Sequence, residues 1–201
     1  MSREEQEGRL TLGVTRLYER VPPDRIGVLI GHEGKVKDEI MRRTRTIITV
    51  DSTTGTVIIE PASPTTTALE LMKARDVVRA VAYGFSPERA FRLLDEDQVL
   101  LIIDLKQYVG DKPNHIQRVK GRIIGEGGKA RRIIEEMTGT YISIYKHYVA
   151  IIGDFESANI AKNAIELLIE GRRHGTVYRY IERETFLEKR RKMRELWRER
   201  F

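Results

Sequence analysis

Polar and apolar residues alternate over residues 10–18 (Leu10, Leu12, Val14, then Leu17), which is the period of a half-buried strand. Pro22 and Pro23 break it, and Asp24 stands where it would cap a short helix running to Leu29. Glycines bracket residues 31–34. After them Val36 and Ile40, one helical turn apart, predict a second helix over 35–43. The β-branched run 46–51 predicts a strand, 52–55 a turn, and 57–60 a second strand. Beyond Pro61 and Pro64 an amphipathic helix is expected from about residue 67 to 83, with Leu71, Val77, Val78 and Val81 turned inward.

The same order returns further along the chain. Shifted by 94 positions, residues 27–50 lie over 121–144 with nine identical pairs: Gly27/Gly121, Ile30/Ile124, Gly31/Gly125, Gly34/Gly128, Lys35/Lys129, Ile40/Ile134, Thr44/Thr138, Thr46/Thr140 and Ile48/Ile142. They fall on a loop, a helix face and a strand, so one structural unit is used twice. A predicted strand at 99–104 and a helix around 114–124 precede the loop of the second copy; a strand at 149–152 and a helix from about 156 to 171 come after. Each unit thus runs β-α-α-β-β-α, with Gly-x-x-Gly between its first two helices. Helices laid on one face of a small sheet share its core, which gives an α+β fold. Between the units, Ser86 as N-cap, Pro87 at the first position and Glu88 at the positive dipole end predict a short helix through Leu94. Residues 176–201 are helical in propensity.

Composition narrows the chemistry. The absence of cysteine excludes disulfides, thiolate metal sites and a cysteine nucleophile. The charged opening does not resemble a signal peptide, and the longest aliphatic run, 99–103, is too short to span a bilayer, so a soluble cytoplasmic protein without membrane partner is expected. One third of the residues are charged while Gln and Asn are scarce, a bias that fits a thermophilic source. The net charge of +6 points to a polyanionic partner if it is clustered, and it is. Residues 112–132 hold seven Lys/Arg and one acid, the equivalent window 18–38 four of each, and 179–200 nine Lys/Arg and five Glu.

The basic window contains the loop Gly125-Glu126-Gly127-Gly128, a sharp break between two helices. Such a break leaves backbone N–H groups free at a helix N-terminus, where a phosphate can be held. Lys129, Arg131 and Arg132 follow at once. Gly125-x-Gly127-x-x-Ala130 also matches a dinucleotide fingerprint, but no strand directly precedes it and no acid lies about 20 residues on. Ala130 after Lys129 excludes a P-loop. Of the histidines, His32 sits in the first loop, while His115, His147 and His174 show no metal-ligand spacing. No carboxylate cluster, Ser/His/Asp set or metal triad supports catalysis, so a non-enzyme without cofactor is expected.

A strand-helix-GxxG-helix-strand-strand-helix unit centred on Ile-Gly-x-x-Gly-Lys resembles the type I K-homology (KH) domain; in type II the extra strand and helix would precede the loop. Residues 8–175, and GRIIGEGGKARRIIEEMTGTYISIY above all, resemble the archaeal counterparts of the partner-of-NOB proteins of small-subunit rRNA processing, with the KRR-motif KH proteins as a neighbouring family. The resemblance implies two tandem type I KH domains at 8–84 and 98–174, joined by a helical connector at 85–97 and followed by a basic C-terminal helix at 175–201. KH loops clamp about four single-stranded nucleotides beside an aliphatic groove that receives the bases. Carried over, Lys120, Arg122, Ile124, Gly125, Glu126, Gly127, Gly128, Lys129, Arg131, Arg132 and Ile142 are the RNA-binding residues, with Ile124 and Ile142 as groove wall. Gly31, His32, Gly34 and Lys35 would form a secondary RNA or partner contact. The resemblance further implies single-stranded rRNA near the 3′ end of the small-subunit RNA as ligand and the NOB endonuclease as neighbour in ribosome biogenesis. The alternative is a KH-fold adaptor that docks a translation initiation factor subunit or a processing factor on the neutral first unit. One departure stands out: KH loops often place a basic residue between the glycines, and here the loops carry Glu33 and Glu126, whose carboxylates repel phosphate.

Overall fold

The structure, a computed structural model, describes residues 16–198. Leu10, Leu12 and Val14 of the first predicted strand lie outside the described residues, as do residues 199–201. The chain divides between Ala82 and Tyr83 into two compact units.

The first unit contains β1 (Leu17–Arg20), α1 (Pro23–Ile30), a 3-10 turn (His32–Gly34), α2 (Lys35–Thr44), β2 (Thr46–Asp51), β3 (Thr56–Pro61) and α3 (Ala68–Ala82). β3 runs antiparallel between β1 and β2, with Ile59 opposite both Leu17 and Ile48. Side-chain alternation buries Ile48, Val57 and Ile59 with Leu29 and Ile40 from the short helices and Leu71, Val77, Val78 and Val81 from α3. Asp24 does not cap α1. Pro22 holds the N-cap position and Pro23 the first turn, where a residue without an N–H leaves one fewer donor to satisfy. In the β2–β3 turn the Asp51 carboxylate accepts hydrogen bonds from the hydroxyls of Thr53 and Thr54 and the Thr53 N–H. These hold its pKa down at about 2.

The second unit begins with α4 (Pro87–Ala90) and a 3-10 turn (Phe91–Leu94). It continues with β4 (Gln98–Asp104), α5 (Leu105–Val109), α6 (Pro113–Ile124), a 3-10 turn (Glu126–Gly128), α7 (Lys129–Thr138), β5 (Tyr141–Tyr145), β6 (Tyr148–Asp154), α8 (Phe155–Ile169) and α9 (His174–Arg198). Its sheet repeats the first, with β6 antiparallel between β4 and β5. The core gathers Ile103, Ile123, Ile134, Ile142, Val149, Ile151, Ile165 and Leu168, and α9 closes it with Val177 and Ile181. The five-residue α5 is too short for a hydrophobic period, and Asp104 caps it by accepting the Lys106 N–H at 2.9 Å.

The segment expected to be a connector is built into this second unit. Phe85, Ala90 and Leu93 are buried. The Ser143 hydroxyl donates to the Tyr83 carbonyl, Arg92 donates to the carbonyl of Gly139, and Arg89 and Arg92 stand over the Tyr141 ring at 4.8 and 5.1 Å. Ser86 occupies the N-cap position without making the capping hydrogen bond; its hydroxyl bonds the Glu88 carboxylate and lowers that group's pKa. No helix among the described residues is long and apolar enough to cross a membrane.

Candidate nucleic-acid interface

The two loops have the same backbone. Gly31 and Gly125 adopt φ/ψ of 73/176° and 72/175°, a region open essentially to glycine alone. A Cβ on Gly125 would lie 2.6 Å from the Cβ of Ala130, and one on Gly31 2.5 Å from a Val36 methyl. The first glycine thus lets the end of one helix rest on the first turn of the next. The third and fourth positions are left-handed in both copies, at φ 55° and 81° for Glu33 and Gly34 and 55° and 78° for Gly127 and Gly128. The second loop meets this demand with glycine, whereas the first holds a glutamate in it.

No side chain caps α7; the Lys129 N–H donates to the Glu126 carbonyl, and the positive end of the helix dipole lies at the loop. Lys129 and Glu126 are exposed, and neither makes an ion pair among the described residues. Arg132 folds back, its Nη2 donating to the Gly127 carbonyl at 2.9 Å, and so braces the loop while the rest of its guanidinium faces solvent. Lys120 is half-buried on α6. Two other predicted cations serve the fold. Arg122 donates to the carbonyls of Leu168 at 3.1 Å and Arg172 at 2.7 Å, capping the end of α8. Arg131 lies half-buried with its Nε 3.6 Å from Glu135. Lys129 and Arg132 are therefore the cations presented at the loop, with the Glu126 carboxylate beside them.

Ile142 does not line a groove. It is 1% exposed and belongs to the core, because the inward face of β5 carries it under the helices. Ile124 and Ile133 are half-buried and outside the core, on the two helices that flank the loop. Ile133 was missed by sequence reasoning, and the helix phase identifies it: Ala130, Ile134 and Thr138 define the buried face of α7, and Ile133 lies off that face.

In the first loop, Glu33 is 3.3 Å from the ammonium of Lys35 and 3.7 Å from His32. The predicted cation there thus has an acid beside it, in an exposed contact. Among the described residues one group of carboxylates converges, Asp154, Glu156 and Glu188. Cations of α9 occupy it, with Lys192 at 2.7 Å from Glu188 and Arg191 at 2.8 Å from Glu156. The Glu188 carboxylate holds the Lys192 ammonium above the usual lysine range. Burial pushes the Asp154 carboxyl up, but the Ser157 hydrogen bonds and Lys192 outweigh it and leave the pKa below normal.

Residues 99–186 match the model of the second KH domain of PNO1, a eukaryotic-type (type I) KH domain. The chain is 43% identical over 178 residues to a KH domain-containing protein of Methanocaldococcus jannaschii, covering 89% of this chain and 77% of that one. It is 32% identical over 162 residues to the pre-rRNA-processing protein PNO1 of Candida albicans, covering 79% of this chain and 58% of that one. It also superposes, with a TM-score of 0.80 and 49% identity, on a chain from the Pyrococcus horikoshii complex of a/eIF2α, aDim2p and rRNA, covering 89% of this chain and 97% of that one.

Proposed function

Because the chain belongs to the PNO1/Dim2 family of KH-domain proteins, we propose that it is a non-catalytic single-stranded RNA-binding protein of small-subunit rRNA maturation, with the second-unit loop as its principal RNA site. The observation that carries this reading is the open N-terminus of α7 behind two left-handed glycines, with Lys129 exposed beside it. A phosphate at that point meets the positive end of the helix dipole and an ammonium without a Cβ in its way. Ile124 and Ile133 supply apolar surface for the adjoining bases. Both units are read as type I KH domains on the strength of their shared strand order and shared loop backbone.

The first unit is given a weaker role, as a secondary RNA contact or a protein-docking surface, because residues 18–38 balance four Lys/Arg with four acids, Glu33 beside Lys35 among them. A relative found in a complex with rRNA and a/eIF2α supports a translation factor subunit as a partner; the NOB endonuclease is proposed from the family resemblance alone. Replacing Gly127 and Gly128 together by Asp places two carboxylates where the phosphate would sit, and should abolish binding of single-stranded RNA in a fluorescence titration. The equivalent change, Glu33→Asp with Gly34→Asp, should be mild. Equal losses would refute the asymmetry, and RNA cleavage by the purified protein with Mg²⁺ would refute the non-catalytic reading.

A further inference from the structure

The last helix outruns the elements it packs on. With 25 residues α9 is about 37 Å long, against about 22 Å for the 15-residue α8. Its inner face is accounted for by Val177 and Ile181 in the core and Glu188 paired to Lys192. On the opposite face Arg179, Arg183, Phe186, Arg190, Met193 and Trp197 follow one another at spacings of 4, 3, 4, 3 and 4, which places them in one stripe. All six are exposed, Phe186 at 58%, Met193 at 60% and Trp197 at 62%. No carboxylate is among them. Arg190 stands 5.8 Å over the Phe186 ring, and Arg183 stands 5.9 Å over the Tyr180 ring and pairs with its neighbour Glu184 in an exposed contact that is worth little.

A merely solvated helix face has no use for a Phe, a Met and a Trp in register. An apolar partner helix would leave the guanidinium groups facing apolar surface. Single-stranded RNA satisfies both halves of the stripe, phosphates against the arginines and bases stacked on the rings. We infer that the outer stripe of α9 is a second single-stranded RNA contact, which extends the one at the Gly125–Gly128 loop. α9 starts where that loop starts: His174 Nε2 lies 2.8 Å from the carbonyl of Arg122, in the last turn before Gly125. The inference rests on the RNA-binding reading of the loop.

The test titrates the full-length protein with two randomised single-stranded RNA pools across salt, one of about four nucleotides, the reach of a KH loop, and one of about sixteen. Arg183→Gln with Arg190→Gln should weaken binding of the longer pool about tenfold and flatten its salt slope by roughly 1.4, at about 0.7 per phosphate contact. Phe186→Ala with Trp197→Ala should weaken it about tenfold with the slope unchanged. Neither pair should alter binding of the shorter pool. All four side chains are exposed, so circular dichroism should stay that of the wild type. Unchanged affinity for the longer pool would overturn the inference, as would equal losses on both pools. A wild type that binds neither pool would overturn the loop reading, and the stripe with it.

Discussion

At the residue scale the repeat separates glycines that the backbone needs from one that it does not. Gly125, Gly127 and Gly128 carry positive φ, but Gly121 lies inside α6, and a Cβ there would meet nothing within 4 Å. Glycine inside a helix costs about 1 kcal/mol relative to alanine, and no contact in the fold offsets that here. Gly121→Ala should therefore raise thermal stability by about 0.5–1 kcal/mol while weakening RNA binding, if the sugar-phosphate chain passes along this face of α6. A stabilised variant with unchanged RNA affinity would remove Gly121 from the site. Glycines and lysines of the loop were legible in the sequence because their roles are local. The fate of Arg122 was not, since the carbonyls of Leu168 and Arg172 that engage it are set by packing; Arg131 pairs with Glu135 one helical turn on, which the spacing alone allows.

At the scale of elements, the identical threonines of the two copies have the same work. Thr44 and Thr138 each donate to the carbonyl four residues back, at 2.7 Å, and each meets the hydroxyl of Thr46 or Thr140, at 2.8 and 2.9 Å. The pair ties the end of a helix to the start of an edge strand with no polar atom stranded. A second tie differs between the copies. The N–H of Ile142 on β5 donates to Glu135 at 2.7 Å, whereas that of Ile48 on β2 finds the sulfur of Met41 at 3.1 Å. Glu135→Ala would orphan that N–H and strand Arg89 and Arg131, at an expected cost of about 2 kcal/mol in urea denaturation. Glu135→Met, which copies the solution of the first unit, should cost distinctly less. If the two variants are equally unstable, the shared strand tie is not what Glu135 supplies. β2, β3, β4, β6 and the long helices were predicted within a residue or two, because burial imprints its period on them, whereas β1 runs Leu17–Arg20, past the end of the strand expected at 10–18. The short α5, the cap of α1 and the packing of residues 85–94 carry no period and had to await the structure.

At the scale of the whole molecule, the charge is divided as the loops are. The first unit carries 13 Lys/Arg against 12 Asp/Glu, and the second 23 against 18, so nearly all of the net charge lies with the open loop and α9. Saturation with single-stranded RNA should accordingly slow amide hydrogen exchange across residues 124–132 and leave residues 31–35 unchanged. Comparable protection at both loops would make the first unit an RNA site in its own right. The sequence by itself determined the duplication, the β-α-α-β-β-α order, the two Gly-x-x-Gly loops and the basic bias of the second copy, since each is written in local spacing or in composition. Only the tertiary structure decided which charges are presented and which sides face out. Ile142 went to the core, Arg122 to the end of α8, and the Arg-Phe-Met-Trp stripe of α9 to solvent. These outcomes turn on what each side chain meets from distant parts of the chain, and local spacing does not encode that.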